Sequence, residues 1–296
     1  MKDNLVKKML NGDIKALAKL ITYVEENPDD RFCDNLPSKN AKIIGFTGSP
    51  GAGKSTIVSG ITSNLRNKGK KIGVIAVDPS SPFTGGAFLG DRIRMKRHFL
   101  DSDVFIRSMA SRGNIGGLNE SIFDVIKIMD SFGFDYILIE TVGAGQSEIE
   151  IVYAADIVVL VLSPGSGDEI QLMKAGIMEI ADIYVINKAD QDGANVLKTQ
   201  LEALLSFSNS QKPIYTTVAT TGIGIEDVTS SIIELLKNFE KSGELQKRTL
   251  RRNKKHVETI ILRKVRETIE SQKYDFTNTS SIIKNVIEKL CKEFES

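Results

Sequence analysis

Three observations predict an α/β fold with a doubly wound, mostly parallel sheet for this chain of 296 residues. Short apolar, β-prone runs recur through its middle, each of the length expected for a strand buried on both faces. Helix-compatible segments separate most of them, the alternation that a layered α/β structure requires. The polar and glycine-rich motifs fall just after these runs, at the strand ends where such sheets bind their ligands.

The elements follow in order. Residues 2–26 show helical periodicity, with Leu5, Met9, Ile14, Leu17, Leu20, Ile21 and Val24 lining two short helices split near Asn11 and Gly12. A polar, proline-containing linker occupies 27–40. Strands are expected at 43–47, 72–77, 136–140, 157–162, 183–187 and 213–218, and helices over 54–67, 119–131, 168–179, 193–206 and 225–239. From Lys241 the character changes. A basic run (Lys247, Arg248, Arg251, Arg252, Lys254, Lys255) leads into a helical stripe of Val257, Ile261, Leu262, Val265 and Ile269. A second amphipathic helix carries Ile282, Ile283, Val286, Ile287 and Leu290. The basic run reads as a solvated helix start in preference to a nucleic-acid patch. The apolar stripe can be buried by the hairpin packing on the domain or against a second subunit, and the second is favoured because the hairpin lies outside the sheet pattern. The expected division is 1–40 (N-terminal helices), 41–240 (the α/β domain) and 241–296 (a helical dimerisation arm).

Composition narrows the function. Lys plus Arg total 39 against 38 Asp plus Glu, so no global field favours nucleic acid or an acidic membrane. Cys33 and Cys291 lie far apart without metal spacing and read as free thiols of a reducing compartment. No apolar run approaches the roughly 20 residues of a membrane helix. Asp3 and Asp13 disfavour an acid-poor transit peptide, so the cytoplasm is the expected location.

Residues 48–55, Gly48-Ser49-Pro50-Gly51-Ala52-Gly53-Lys54-Ser55, match GxxxxGK[ST], the phosphate-cradling P-loop, and Thr56 continues it into a helix. Loop amides and a helix N-terminus make an anion site there. Lys54 would reach the β- and γ-phosphates of a nucleotide, and the Ser55 hydroxyl would ligate Mg²⁺. Asp78 and Glu140 close neighbouring strand runs, where a carboxylate can hold Mg²⁺ directly or through water. Gly143 is placed for an amide contact to the γ-phosphate. Asn187-Lys188-Ala189-Asp190 matches NKxD, in which the last carboxylate accepts two hydrogen bonds that guanine offers and adenine cannot. Asn187 would orient that loop and reach the base, while the Lys188 stem would cover the ring. A second base loop follows at Val218, Ala219 and Thr220, where a valine replaces the usual serine. Two glycine-rich stretches, 82–90 and 111–117, suit segments that reorder between nucleotide states. His98 and His256 are isolated and read as structural or solvated.

Together GSPGAGKST, VDPSSPFTGGAFLGDRIRM, SRGNIGGL, ETVGAGQSE, SPGSGDEIQLMKAGIMEIAD and NKAD closely resemble the MeaB/ArgK/MMAA group of P-loop GTPases, from about residue 10 to about 240. The resemblance implies a Mg²⁺-dependent, homodimeric GTPase that binds GTP and GDP. Such a protein helps load adenosylcobalamin into an acyl-CoA mutase, usually methylmalonyl-CoA mutase, and guards it against inactivation. By motif, Lys54, Asp78, Asp91 and Glu140 are then the catalytic set. Ser55, Asp78, Asp91 and Glu140 surround the metal, and Asn187, Lys188 and Asp190 read the base. Lys174 falls in the segment resembling a further switch that responds to the client. In Ras-like GTPases a glutamine follows the glycine of the γ-phosphate loop. Here Ala144 follows Gly143 and Gln146 comes later, so slow intrinsic hydrolysis is expected. Two other readings stand beside this one: a nickel-insertion GTPase, whose usual Cys/His cluster is missing from the sequence, and a nucleotide-gated scaffold with negligible turnover.

Overall fold

The computed structural model of the chain describes residues 2–78, 97–110, 120–143, 147–165, 176–207, 212–271 and 279–295. Its sheet is parallel throughout and is built from β1 (Lys42–Thr47), β2 (Ile72–Asp78), β3 (Val104–Ala110), β4 (Tyr136–Glu140), β5 (Ile157–Leu162), β6 (Ile183–Asn187) and β7 (Ile214–Thr217). Their order is β3-β2-β4-β1-β5-β6-β7. The chain winds outward from β1 in both directions, so the switch point lies beside the central strand and opens at the carboxyl ends.

Period-2 alternation sorts the strands into two layers. Ile43, Ile75, Ile137 and Ile139 enter one core with α1 (Lys2–Leu10), α2 (Ile14–Glu26), α4 (Ile122–Phe132) and α5 (Ser147–Ala154). Ile44, Phe46, Val74 and Leu138 enter the other with α3 (Lys54–Asn67) and α8 (Ile225–Ser242). A third cluster joins Leu160, Leu162, Tyr184 and Ile186 to α6 (Ile177–Ile180) and α7 (Ala194–Phe207). One side chain of this kind, fully buried, is worth about 1.5–3 kcal/mol. The N-terminal helices therefore share a core with the sheet. Asp13 caps α2 by accepting from Lys15 N at 2.8 Å and Ala16 N at 3.1 Å, which holds its carboxyl below the usual range.

The expected strands and the helices over 54–67, 119–131, 193–206 and 225–239 appear with ends shifted by a few residues. Of the helix expected over 168–179, the described part is Ile177–Ile180. Among the described residues three elements were not anticipated, one of them a 3₁₀ helix, Arg31–Asn35, inside the expected linker. β3 is an edge strand in which Arg107 and Ser108 interrupt the apolar run; Arg107 pairs with Glu25 on α2. α5 is only eight residues long and follows a glycine loop. It packs closely on β1 at Gly45, where a Cβ would collide with Ile151 and lie 3.1 Å from Ala155 Cβ.

The chain divides into two compact units, Met1–Thr249 and Leu250–Ser296. The second holds the rest of α9 (Glu244–Glu270) and α10 (Thr279–Glu295). Within it Val286 is buried, while Val257, Ile261, Leu262, Ile283 and Ile287 are exposed. Among the described residues no helix is long and apolar enough to cross a membrane.

Candidate active site

The site grows from the turn between β1 and α3. Gly48, with φ of 135°, lies so close to β5 that a Cβ would collide with the Val161 carbonyl. Gly53 precedes α3 in a left-handed conformation and leaves the helix without a side-chain cap, so its first N–H groups face the loop. Ser49 Oγ is buried with no hydrogen-bond partner among the described residues, which fits a phosphate cradle. Lys54 is buried, and its Nζ donates to the Gly48 carbonyl at 2.6 Å and the Ser49 carbonyl at 3.1 Å. These contacts hold the ammonium inside the loop, at phosphate height.

Parallel pairing sets Glu140 beside Phe46 on β1 and Ala76 on β2, and Asp78 closes β2 two residues on. Both acids are buried. Ser55, in the first turn of α3, donates from Oγ to Glu140 Oε1 at 2.5 Å. Two carboxylates and a hydroxyl at neighbouring strand ends form a hard oxygen donor set that suits Mg²⁺, which needs few protein ligands when phosphates and water supply the rest. Asp91 and Lys174 lie outside the described residues, as do Ala144 and Gln146 and the stretches 82–90 and 111–117.

After β4 the chain approaches the P-loop closely. Gly143 has φ of 101°, and a Cβ there would lie 2.7 Å from both Lys54 Nζ and Pro50 N. Its N–H donates to Glu148 Oε1 at 2.7 Å. Glu148 Oε2 also accepts from Gly48 N at 2.9 Å, from Thr141 Oγ1 at 2.8 Å and from Thr47 Oγ1. Glu148 was not among the residues anticipated from sequence. Its signal was an acid in the first turn of a helix, two residues past the glutamine of ETVGAGQSE.

On the other side of the P-loop, Asn187 is buried at the end of β6. Its Nδ2 donates to the Ala52 carbonyl at 2.8 Å, and its Oδ1 accepts from Thr217 Oγ1 at 3.0 Å and Ala219 N at 3.1 Å. The amide thus ties the loop after β1 to the loops after β6 and β7. Lys188 turns the chain with a positive φ of 57°, and Asp190 is exposed beyond it. Val218 N bonds to Ile223 O at 3.1 Å, closing a tight loop. With the Val218 and Ala219 amides committed to protein acceptors, Thr220 N–H is the one of these three without an acceptor among the described residues. His98 packs on α3, its Nε2 3.1 Å from the Ser59 carbonyl, and burial pushes its pKa down.

Known proteins resemble the chain over most of its length. Residues 17–274 match the family described as methylmalonyl-CoA mutase-associated GTPase MeaB. A protein of Pyrococcus horikoshii named as a GTPase is 46% identical over 96% of this chain and 93% of its own length. The mitochondrial methylmalonic aciduria type A homolog of Caenorhabditis elegans is 34% identical, over 87% of this chain and 72% of its own. Among solved structures, an LAO/AO transport system kinase superposes with a TM-score of 0.70 at 25% identity, covering 98% of this chain and 97% of that one.

Proposed function

The chain is a member of the MeaB family of methylmalonyl-CoA mutase-associated GTPases, and from that premise we propose that its GTP hydrolysis gates the loading and protection of an adenosylcobalamin-dependent acyl-CoA mutase. The observation that carries the proposal is the family match over 17–274, a span that holds every element of the site described above. As a GTPase it cleaves the bond between the β- and γ-phosphates of GTP and releases GDP and phosphate.

In this reading the loop amides of 48–55 and Lys54 hold the phosphates, with Lys54 moving from its loop carbonyls to the β/γ bridge. Ser55, Asp78 and Glu140 hold Mg²⁺, and Asp91 joins them by motif. When bound there, the ion would supply positive charge to the phosphates. Gly143 N–H donates to a γ-phosphate oxygen. Asp190 accepts the guanine N–H pair, the Lys188 stem covers the ring, and Thr220 N–H is left for the base carbonyl. Asn187 acts here by fixing the three loops relative to one another.

Ala144 cannot orient water as the glutamine of Ras-like enzymes does, so intrinsic turnover is slow and the client accelerates it. Lys174 belongs to the segment that senses the client, by motif. The exposed apolar stripe of α9 and α10 supports a homodimer, and we place its action in the cytoplasm. Single-turnover GTP hydrolysis with and without methylmalonyl-CoA mutase tests the proposal. At least a tenfold acceleration is expected, about 1.4 kcal/mol of barrier; equal rates would sink it.

A further inference from the structure

Glu148, in the first turn of α5, gathers hydrogen bonds from the end of β1, the P-loop and the segment after β4. Its carboxylate is 1% exposed, and four donors converge on it. Three of them, Thr47 Oγ1, Gly48 N and Thr141 Oγ1, share Oε2. Thr47 ends β1, Gly48 starts the P-loop and Thr141 follows β4. The fourth, Gly143 N, has Oε1 to itself at 2.7 Å. A carboxylate offers about two acceptor sites on each oxygen, so the three donors crowd Oε2 while Oε1 serves Gly143 N alone.

The uneven split matters because of what Gly143 does. In the reading proposed above, its N–H is the donor that a γ-phosphate oxygen takes. One short N–H bond serves one acceptor well. The γ-phosphate and Glu148 Oε1 therefore compete for the same proton. The three bonds on Oε2 tie the carboxylate to Thr47, Gly48 and Thr141.

We propose that Glu148 is a positioning residue that holds the Gly143 amide when no γ-phosphate claims it and yields it when GTP binds. The exchange reports the γ-phosphate to α5, because Glu148 lies in its first turn. α5 in turn packs through Ile151 on Gly45 of β1, so a change in the Glu148 backbone meets a close-packed contact with the central strand. The inference rests on the nucleotide-site reading and adds a built-in competitor to it.

Glutamine at this position has one acceptor oxygen. Placed against the three Oε2 donors, it turns its Nε2 toward Gly143 N–H, donor against donor. Glu148→Gln therefore removes the competitor for the γ-phosphate while keeping shape. Aspartate keeps the charge but draws the carboxylate back by about 1.5 Å, and with three donors against one it stays with Thr47, Gly48 and Thr141 and loses the Gly143 N–H. The test titrates the full chain with GDP and with the non-hydrolysable analogue GppNHp, in Mg²⁺, for the wild type and both variants. In Glu148→Gln, GDP affinity should change by less than about threefold while GppNHp affinity rises on the order of tenfold, the scale of one charge-assisted hydrogen bond. Glu148→Asp should move the GppNHp-to-GDP preference the same way, and it carries the test if the glutamine variant fails to fold. An unchanged preference, with both affinities intact or both reduced, means a purely structural role and overturns the proposal. A wild type that binds neither nucleotide overturns the site reading itself and the proposal with it.

Discussion

At the residue scale, the site depends on positions where backbone approaches backbone. Gly143 is one of these, with a positive φ and a would-be Cβ 2.7 Å from Pro50 N. Gly143→Ala has to push the segment after β4 away from the P-loop, taking with it the amide meant for the γ-phosphate. Loss of one preorganised donor to developing charge costs about a hundredfold in rate. Single-turnover GTP hydrolysis should therefore fall by that order, and GDP affinity by only a few-fold, since GDP lacks the phosphate that Gly143 serves. Equal losses in both would mean that the P-loop itself had collapsed. Sequence showed Gly143 because the motif brackets it with Glu140 and Gln146. It did not show Glu148, since an acid in the first turn of a helix has an ordinary explanation in the helix dipole. Only the fold brings Thr47, Gly48, Thr141 and Gly143 around it. The same holds for Asn187, whose NKxD position suggested the base but whose amide contacts reach Ala52, Thr217 and Ala219.

At the scale of elements, legibility followed burial. The central strands, covered on both faces, are continuous apolar runs and could be read directly. β3 could not, because an edge strand with a charge pairing to Glu25 looks like a loop in one dimension. At the end of the sheet opposite the turn between β1 and α3, a network holds the strand beginnings together. Asp156 accepts from Ile43 N at 2.9 Å and Asp182 from Val158 N at 2.8 Å. Arg248, in the second turn of α9, donates to both Asp182 oxygens, at 2.7 and 2.9 Å, and to the Asp156 carbonyl at 2.7 Å. Its guanidinium also stacks over Phe239 at 4.4 Å. In the sequence Arg248 was one basic residue of a run that read as solvated; here it is a mostly buried fork. Arg248→Ala leaves the Asp182 carboxylate buried without its counter-charge, a loss of about 3 kcal/mol. Arg248→Lys should recover only part of it, because an ammonium cannot make the bidentate contact. Denaturant midpoints for the two variants decide this, and an alanine variant as stable as the wild type would show the network to be dispensable.

At the scale of the whole molecule, the second unit raises the question of what covers it. Leu250, Val257 and Ile261 follow one another at intervals of seven and four along α9, and Ile283 and Ile287 lie one turn apart on α10. All five are exposed, Leu250 at 71%. An apolar row at that spacing is a helix-packing seam, and burying each side chain is worth about 1.5–3 kcal/mol. The near-neutral balance of 39 basic and 38 acidic residues means that long-range repulsion does not oppose two copies meeting. The homodimer proposed above uses this seam. Aspartate at Ile261 and Ile287 together would place carboxylates in it, and burying an unpaired charge is prohibitive. Light scattering at micromolar concentration should then report a monomer for the double variant and a dimer for the wild type. Single-turnover hydrolysis should stay within about twofold, because the Ser55, Glu140 and Gly143 contacts all lie within Met1–Thr249. A double variant that keeps the dimer mass would place the interface elsewhere. A monomer that loses hydrolysis as well would mean that the second copy contributes to the nucleotide site, and the arm would then be part of the catalytic machinery as well as its support.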